Sequence, residues 1–561
     1  MLALFTCLPQ FYLWYVRGSE WNGSCAYLDT DELAYAAYTN ALIDGRPRRN
    51  DPYTGIDNNQ DESLFSIQLL PAYSLAFLAK ILRMSTSTAF MILLPLATVA
   101  AALTVLWLLV ELTGKFSLSV VGTIGVLCLG SVAALNPLQV FTGVQAGYDS
   151  FPFLRRYIPA LPFPVFLLSI IFMWRALTRN AAWAALAGLS LAVLVFSYFF
   201  LWTGAVAWFF TLIILWLVRR PGDRVRTWRV VGIMIAMGTA ALAPYSWLLM
   251  HRANTIDRAQ LLQLTHVPDL FRMPEVYGGF LLLTIVWRAK KRLQTFNDPK
   301  VLFIASFALA PFVVFNQQVI TGHSLQPFHY EEFVANYWIA IGFFLALGVA
   351  RQNIPKRILT YLVLGCLAIG TVLSLQAARN TRNMNVHLDE VRAVALKLKD
   401  QNSRGVVFTS DVLLTNSIPT TARNPVLWAR FSMYFSNLSA NEQKKRFFQY
   451  LYYSGFDESQ LPEVLRTDFT ARWEMFGAER ANPVLTAKYN RVTEEEVNNA
   501  TREYAEFARS FDSSLAGNPL LSIAVVSPSD NLANLDRWYE RGSPEKTGEF
   551  IIYHLRLRSP K

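Results

Sequence analysis

From residue 83 to residue 379 the chain alternates long uncharged apolar stretches with short clusters of charge. Uncharged runs lie between Arg83 and Glu111, Lys115 and Asp149, Arg156 and Arg175, Arg179 and Arg219, Arg229 and Arg252, Lys300 and Glu331, Glu332 and Arg351, and Arg357 and Arg379. At 1.5 Å of rise per residue most of these can cross a hydrocarbon core ~30 Å thick, and the Arg179 to Arg219 run can cross it twice. The pattern predicts a polytopic α-helical membrane protein with about eleven transmembrane helices. They fall near 1–17, 86–111, 116–137, 157–174, 182–200, 203–218, 230–250, 274–287, 301–320, 333–350 and 358–377. The first begins at Met1 with no flanking segment and reads as an uncleaved anchor. In the eighth only Val276 to Trp287 is uncharged, which leaves a re-entrant segment open.

The pattern changes after Arg379. Leu388, Val391, Ala395 and Leu398 recur at helical spacing, Val406 to Phe408 is β-like, and Ser439 with Glu442 and Thr493 with Glu496 read as capping boxes that open helices. Ile523 to Val526 and Phe550 to Leu557 supply further strands. The expected organisation is a transmembrane domain over residues 1–379 and a mixed α/β domain over 380–561.

Composition agrees with the membrane reading: 53% of residues are hydrophobic and 16% charged. A soluble monomer, a disordered chain, a collagen-like fibre and a disulfide-stapled module are excluded. The net charge of +11 belongs to the membrane half, where residues 1–380 carry 28 Lys+Arg against 18 Asp+Glu, while 381–561 carry 23 against 22. Basic residues cluster at Arg175 and Arg179, at Arg219 to Arg229, at Arg288 to Lys300 and at Arg351 to Arg357, as the positive-inside rule requires of cytoplasmic loops. The N-terminus is then cytoplasmic and the C-terminal domain extracytoplasmic, with outer loops at 18–85, 138–156 and 321–332. A nucleic-acid partner is not expected, because no folded domain offers a basic face. Four cysteines, Cys7, Cys25, Cys128 and Cys366, imply no disulfide framework. All six histidines fall on the outer side of this topology. Asn22, Asn437 and Asn499 open Asn-X-Ser/Thr triplets, relevant only in a eukaryotic secretory pathway; a bacterial cytoplasmic membrane is the expected location.

Nine of the 18 acids of the membrane half fall between Glu20 and Glu62, far more than a connector needs. Residues 30–43 carry Leu33, Ala37, Ala41 and Leu42 on one face and are expected to lie along the membrane surface as an amphipathic helix. At its start Asp29 and Glu32 have capping-box spacing, which alone explains these acids. A carboxylate held there is also suited to be a positioned general base, and the two roles are compatible, with Asp31 directed at a ligand.

An outer first loop with an Asp-Glu pair at Asp31 and Glu32, a helix ending near Gly45, many spans and a C-terminal outer domain together resemble the GT-C-type glycosyltransferases. The similarity is to protein O-mannosyltransferases and lipid A aminoarabinose transferases. The resemblance implies a sugar donor linked to polyprenyl phosphate, an acceptor hydroxyl on a glycan, lipid or protein, Asp31 as base and Glu32 as its neighbour. The Trp-Trp-Asp motif of oligosaccharyltransferases is absent, which argues against en bloc transfer of N-glycans.

For such a reaction the phosphate needs positive charge. Arg155 and Arg156 sit where the fourth span is expected to enter the membrane, placed either to grip a phosphate or to snorkel to headgroups. The run Asn316 to Glu332 contributes His323, Gln326, His329 and Tyr330 as candidate phosphate or sugar contacts. The His323 to His329 spacing suits a loop better than a helical metal pair. Asp57, Asp61 and Glu62 are candidates for a divalent cation, against the simpler reading of a solvated acidic loop. Arg252, Arg258, His266 and Arg272 are further candidates for lipid phosphate. The leading expectation is an inverting membrane glycosyltransferase. A transporter or lipid flippase is the alternative, and would call for ionisable residues near mid-span, which are nearly missing. A receptor or scaffold built on the outer domain is a third.

Overall fold

The computed structural model describes residues 1–57, 61–133, 151–350, 354–402, 404–435, 438–482 and 490–559. The protein is mostly helical. Among the described residues six helices are long and apolar enough to cross a membrane: Thr86–Thr113, Phe199–Arg219, Arg224–Met250, Pro299–Thr321, Pro327–Ala350 and Lys356–Asn380. Shorter apolar helices span Leu69–Ile81, Phe116–Gly130, Pro162–Thr178 and Trp183–Val195. The remaining expected spans coincide with the helices Leu2–Arg17 and Met273–Lys290. The chain is a multi-pass membrane protein.

It divides into two compact units. The first comprises Met1–Tyr15, Phe90–Trp247 and Leu264–Arg382. Its helices are apolar around most of their circumference, so association rests on close packing at small residues. A Cβ added to Gly125 would lie 2.2 Å from the Phe344 ring, and one at Gly130 2.3 Å from the Tyr337 ring. A Cβ at Gly278 would meet the Ala308 carbonyl oxygen at 2.4 Å. These glycines are the slots into which aromatic side chains and a neighbouring backbone fit. At one end Glu111 accepts hydrogen bonds from Arg175 and Arg179, and Arg175 also lies over the rings of Trp107 and Trp183.

The second unit comprises Val16–Ala89, Leu248–Gln263 and Asn383–Lys561. Val406–Phe408 runs parallel to Leu521–Val526, which pairs antiparallel with Phe550–Leu557. The strands Tyr539–Arg541 and Glu545–Thr547 pair antiparallel with that last strand. Helices Ala440–Tyr453 and Glu494–Arg509 pack on this sheet around a core that includes Phe408, Trp428, Phe448, Tyr453, Tyr504 and Tyr539. Ser439 caps the first helix through the Glu442 N–H, and Thr493 with Glu496 forms a reciprocal capping box on the second.

The acidic first loop is part of this same unit. Asp389, fully buried, accepts hydrogen bonds from Arg17 Nε at 3.0 Å, from the Asn22 N–H at 3.0 Å and from the Ser24 N–H at 3.2 Å. Asn385 accepts from the Tyr27 N–H and donates to the Tyr27 carbonyl. Farther along, the Val426 N–H donates to the Tyr53 carbonyl, and Asn40 donates to the Pro419 carbonyl.

One expectation is corrected here. The helix Asp31–Ile43 is not an amphipathic surface helix: every residue from Glu32 to Leu42 is buried. Ala34, Ala36, Ala37 and Ala41 let neighbouring elements approach on all sides, and the intervening Tyr35 and Tyr38 pack against Phe65. Its contacts are the helix Leu69–Ile81 and the segment Val412–Thr420. A stripe of Leu and Ala at helical spacing shows that one face is apolar; it does not show that the opposite face meets water.

Candidate functional site

In the first unit the chain from Phe151 to Ala160 is buried throughout and lacks a regular helix apart from the short turn Pro152–Leu154. The fourth span therefore starts at Pro162 rather than 157. Arg155 and Arg156 are only 3% and 1% exposed, which overturns the reading of arginines snorkelling to headgroups. Arg155 donates from Nη2 to the Tyr198 hydroxyl at 3.0 Å and from Nε to the Ile158 carbonyl, and its guanidinium lies 4.9 Å from the centre of the Phe333 ring. Arg156 lies over Phe90. Burying two adjacent cations is costly without compensating contacts, so their retention marks a polar site.

The residues facing Arg155 come from the chain that opens the tenth expected span. Gln326, with φ of 40°, turns the backbone into the short helix Pro327–Tyr330, and a π-helical turn follows over Glu331–Ala335. Such a turn shifts side chains off the regular α-helical register and is frequent at functional sites. His329 is buried among the rings of Phe200, Phe328 and Phe333, and its Nδ1 has no hydrogen-bond partner among the described residues. Tyr330 shares a hydrogen bond of 2.8 Å with Thr203. Asn336, fully buried at the end of the π turn, has no partner among the described residues for either Oδ1 or Nδ2. An unpaired amide inside protein forfeits its solvation without return, a cost normally tolerated only where a ligand or water completes it. Phe333 and Tyr337, flanking Asn336, pack on Arg155 and on Phe153 and Phe163 respectively.

Asn336 and Tyr198 were not singled out from the sequence. For Asn336 a signal existed, since it is a lone amide inside the apolar run between Glu332 and Arg351. Tyr198 carries none, because an aromatic in an apolar run reads equally well as packing. The stretch Gly147 to Ser150 of the second outer loop lies outside the described residues.

In the second unit Asp31 is the first residue of its helix and Thr30, not Asp29, is the N-cap residue, with no capping bond from its side chain. Asp29 instead accepts from the Asp31 N–H at 3.2 Å. Glu32 is buried and turns back to accept from the Leu28 N–H at 2.9 Å, so it fixes the entry to the helix. Asp31 is partly exposed at that fixed corner.

The acids offered for a cation are otherwise engaged. Glu62 binds Arg48 through two hydrogen bonds, Arg49 at 2.7 Å and the Ser66 hydroxyl at 2.6 Å. Burial alone would raise its carboxyl; the bonds from Arg48 and Ser66 and the Arg49 charge hold it below the usual range. Asp57 accepts from Asn50 at 2.6 Å. Among the described residues no three His, Cys, Asp or Glu side chains are grouped as metal ligands would be. Glu62 is thus the centre of a cluster with Arg48, Arg49 and Ser66, and Asp57 is bonded to Asn50.

The two histidines of the late loop also part company. His323 is exposed, with Nδ1 turned to the Thr321 carbonyl at 2.6 Å, whereas His329 is buried. Gln326 is half-buried and contributes its carbonyl to the His329 N–H. Arg272 pairs with Asp269 and Glu331, Arg252 with Asp257, and His266 bonds the Val319 carbonyl, all of which stitch loops together. Arg258 donates to the Glu474 carbonyl.

No protein-family model matches this chain, and no curated protein matches it. Solved structures similar to it include two GT-C-type membrane glycosyltransferases. One is the arabinofuranosyltransferase AftD from Mycobacteria, at 12% identity and a TM-score of 0.47, covering 95% of this chain and 40% of that one. The other is the Archaeoglobus fulgidus oligosaccharyltransferase, at 12% identity and a TM-score of 0.46, covering 98% of this chain and 73% of that one. A further structure of the archaeal enzyme, AglB with an inhibitory peptide and a dolichol-phosphate, gives a TM-score of 0.43 at 12% identity. The chain thus spans well under half the length of AftD.

Proposed function

We propose that this protein is an inverting membrane glycosyltransferase that moves a sugar from a polyprenyl-phosphate donor to an acceptor hydroxyl on the extracytoplasmic side. The observation that carries the reading is the buried polar group of the first unit. Arg155 and Arg156 supply fixed positive charge, and the Asn336 amide and His329 Nδ1 supply hydrogen-bonding capacity that has no partner among the described residues. A phosphate ester bearing a sugar matches both, with bidentate guanidinium contacts to the phosphate and an amide for a sugar hydroxyl.

In the reaction the acceptor oxygen forms a bond to the anomeric carbon as the bond from that carbon to the phosphate oxygen breaks. Asp31 takes the proton from the acceptor hydroxyl, and polyprenyl phosphate leaves as an anion that needs no proton. Arg155 and Arg156 stabilise the charge that grows on the phosphate, and charge–charge stabilisation of a leaving group is worth most where water is excluded. Glu32 is a positioning residue, holding the turn from which Asp31 projects. The outer domain, 380–561, shapes the acceptor side, and the location is a bacterial cytoplasmic membrane.

The test is transfer of radiolabelled sugar from a panel of polyprenyl-phosphate donors, in membranes holding equal amounts of wild type, Asp31→Asn, Arg155→Gln and Asn336→Leu. The expected result is loss of turnover with donor binding retained in Asp31→Asn, and weakened donor binding in the other two. Turnover unchanged in Asp31→Asn removes the base. Donor-independent movement of lipid across the bilayer, with no transfer by the wild type, replaces the reading with a flippase.

A further inference from the structure

The first unit holds a second feature that the sugar-transfer reading does not use. A cavity of about 500 Å³ opens between the helices Met273–Lys290, Pro299–Asn316 and Asn336–Ala350. Its walls are apolar: Phe280, Ile285, Ile304, Phe343 and Leu347 are representative. It reaches from Tyr277 to Arg288 on one helix and from Ile339 to Ala350 on another. At 1.5 Å per residue either stretch is ~16 Å long, about half the ~30 Å hydrocarbon core, so the groove is one leaflet deep.

The two ends of the groove are unlike. At one end Arg288 donates from Nη2 to the Ala350 carbonyl at 3.1 Å, while its buried Nε has no partner among the described residues. Lys290, Lys291 and Arg292 follow directly in the chain. A buried guanidinium N–H without an acceptor, at the basic end of an apolar groove, calls for an anion attached to a hydrocarbon chain. This is also the end that the distribution of positive charge assigns to the cytoplasmic side.

We infer that this groove is a seat for one anionic glycerophospholipid of the cytoplasmic leaflet, with an acyl chain along the apolar wall and its phosphate on Arg288. The depth of a single leaflet fits an acyl chain better than a polyprenyl chain, which is several times longer. The charge at the mouth selects an anionic headgroup, since each basic residue near the surface adds attraction for one. The bound lipid adds contacts to the apolar side chains that line the groove on these three helices.

The test uses the full chain purified in detergent. Phosphatidylglycerol and phosphatidylcholine are added separately, retention is counted by native mass spectrometry, and thermal unfolding is followed in parallel. The wild type is expected to retain phosphatidylglycerol at least tenfold better than phosphatidylcholine and to gain thermal stability from it. Arg288→Gln is expected to lose that preference, Arg288→Lys to keep part of it, and Ala340→Trp, which fills the groove, to lose retention of both lipids. Equal retention of the two lipids by the wild type, undiminished retention by a folded Ala340→Trp, or stabilisation by polyprenyl phosphate but not by phosphatidylglycerol would each overturn the inference.

Discussion

Glu474 offers a quantitative test of the second unit. It sits on the helix Phe469–Phe476 at 3% exposure, and neither carboxylate oxygen has a hydrogen-bond partner at bonding geometry. Burial pushes its carboxyl up to about 7 from an ordinary 4.5, offset only in part by the nearby Trp428 indole and Arg258 guanidinium. For an acid whose folded value is raised, the folded state binds the proton more tightly. Stability is therefore unaffected below the ordinary value, falls as pH rises from 4.5 towards 7, and levels off above 7 with the group ionised. At ~1.4 kcal/mol per pH unit the ionised group costs the folded state about 3 kcal/mol, an order-of-magnitude figure. Glu474→Gln keeps the shape and removes the titration. It is expected to come within about 1 kcal/mol of the wild type at pH 5 and to exceed it by up to about 3 kcal/mol at pH 8. Hydrogen exchange of Phe469–Phe476 and denaturant unfolding of the whole chain in detergent, each at pH 5, 6.5 and 8, read the difference. Equal stability of the two proteins at pH 8 would refute the argument, as would a gain of the same size at pH 5, which would mean that packing rather than ionisation is at issue.

Three further outcomes are expected. His387 donates from Nε2 to the Asp411 carboxylate at 2.6 Å; this bond raises its imidazole above the ordinary value, while Asp411, despite burial, is held below the usual carboxyl range by His387 and the Leu414 N–H. The His387 contribution is fully present below about pH 6.5 and lost as pH rises through its raised value; the Asp411 contribution is present above about pH 4 and lost as pH falls through its lowered one. His387→Gln should then cost about 1 kcal/mol near pH 5.5 and progressively less above neutrality, measured as unfolding midpoints over pH, the pair being partly exposed. Asp389→Ala should cost about 3 kcal/mol, because Arg17 and the N–H groups of Asn22 and Ser24 lose a buried acceptor, and limited proteolysis should then cut between residues 17 and 24. Gly125→Ala should lower the unfolding temperature by the equivalent of about 1–3 kcal/mol through collision with Phe344, and Phe344→Ala in the same chain should restore part of it.

The sequence by itself determined where the helices lie and much of the C-terminal region's local structure. Period, length and charge placed the apolar helices within a few residues, because a span must satisfy its backbone internally and stay uncharged over ~20 residues, a constraint written locally. The capping pairs at Ser439 and Thr493 and the strands at Val406 and Phe550 were legible for the same reason: each depends on neighbours within a few residues. The polar cluster of the first unit was half legible, since Arg155, His329 and Tyr330 are conspicuous in apolar surroundings. What only the tertiary structure decided was burial. Asp31–Ile43 shows an apolar stripe in one dimension but is buried from Glu32 to Leu42, Glu62 is an ion-pair hub, and Arg155 and Arg156 are interior rather than interfacial. For the helix and for Arg155 the deciding partner, Phe435 stacked on Phe65 beside that helix or Phe333 under the guanidinium, lies more than a hundred residues away, whereas Glu62 is held by Arg48, Arg49 and Ser66, near in the chain but brought round by a turn. Local periodicity records which face of a segment is apolar, but what covers that face depends on contacts between distant parts of the chain.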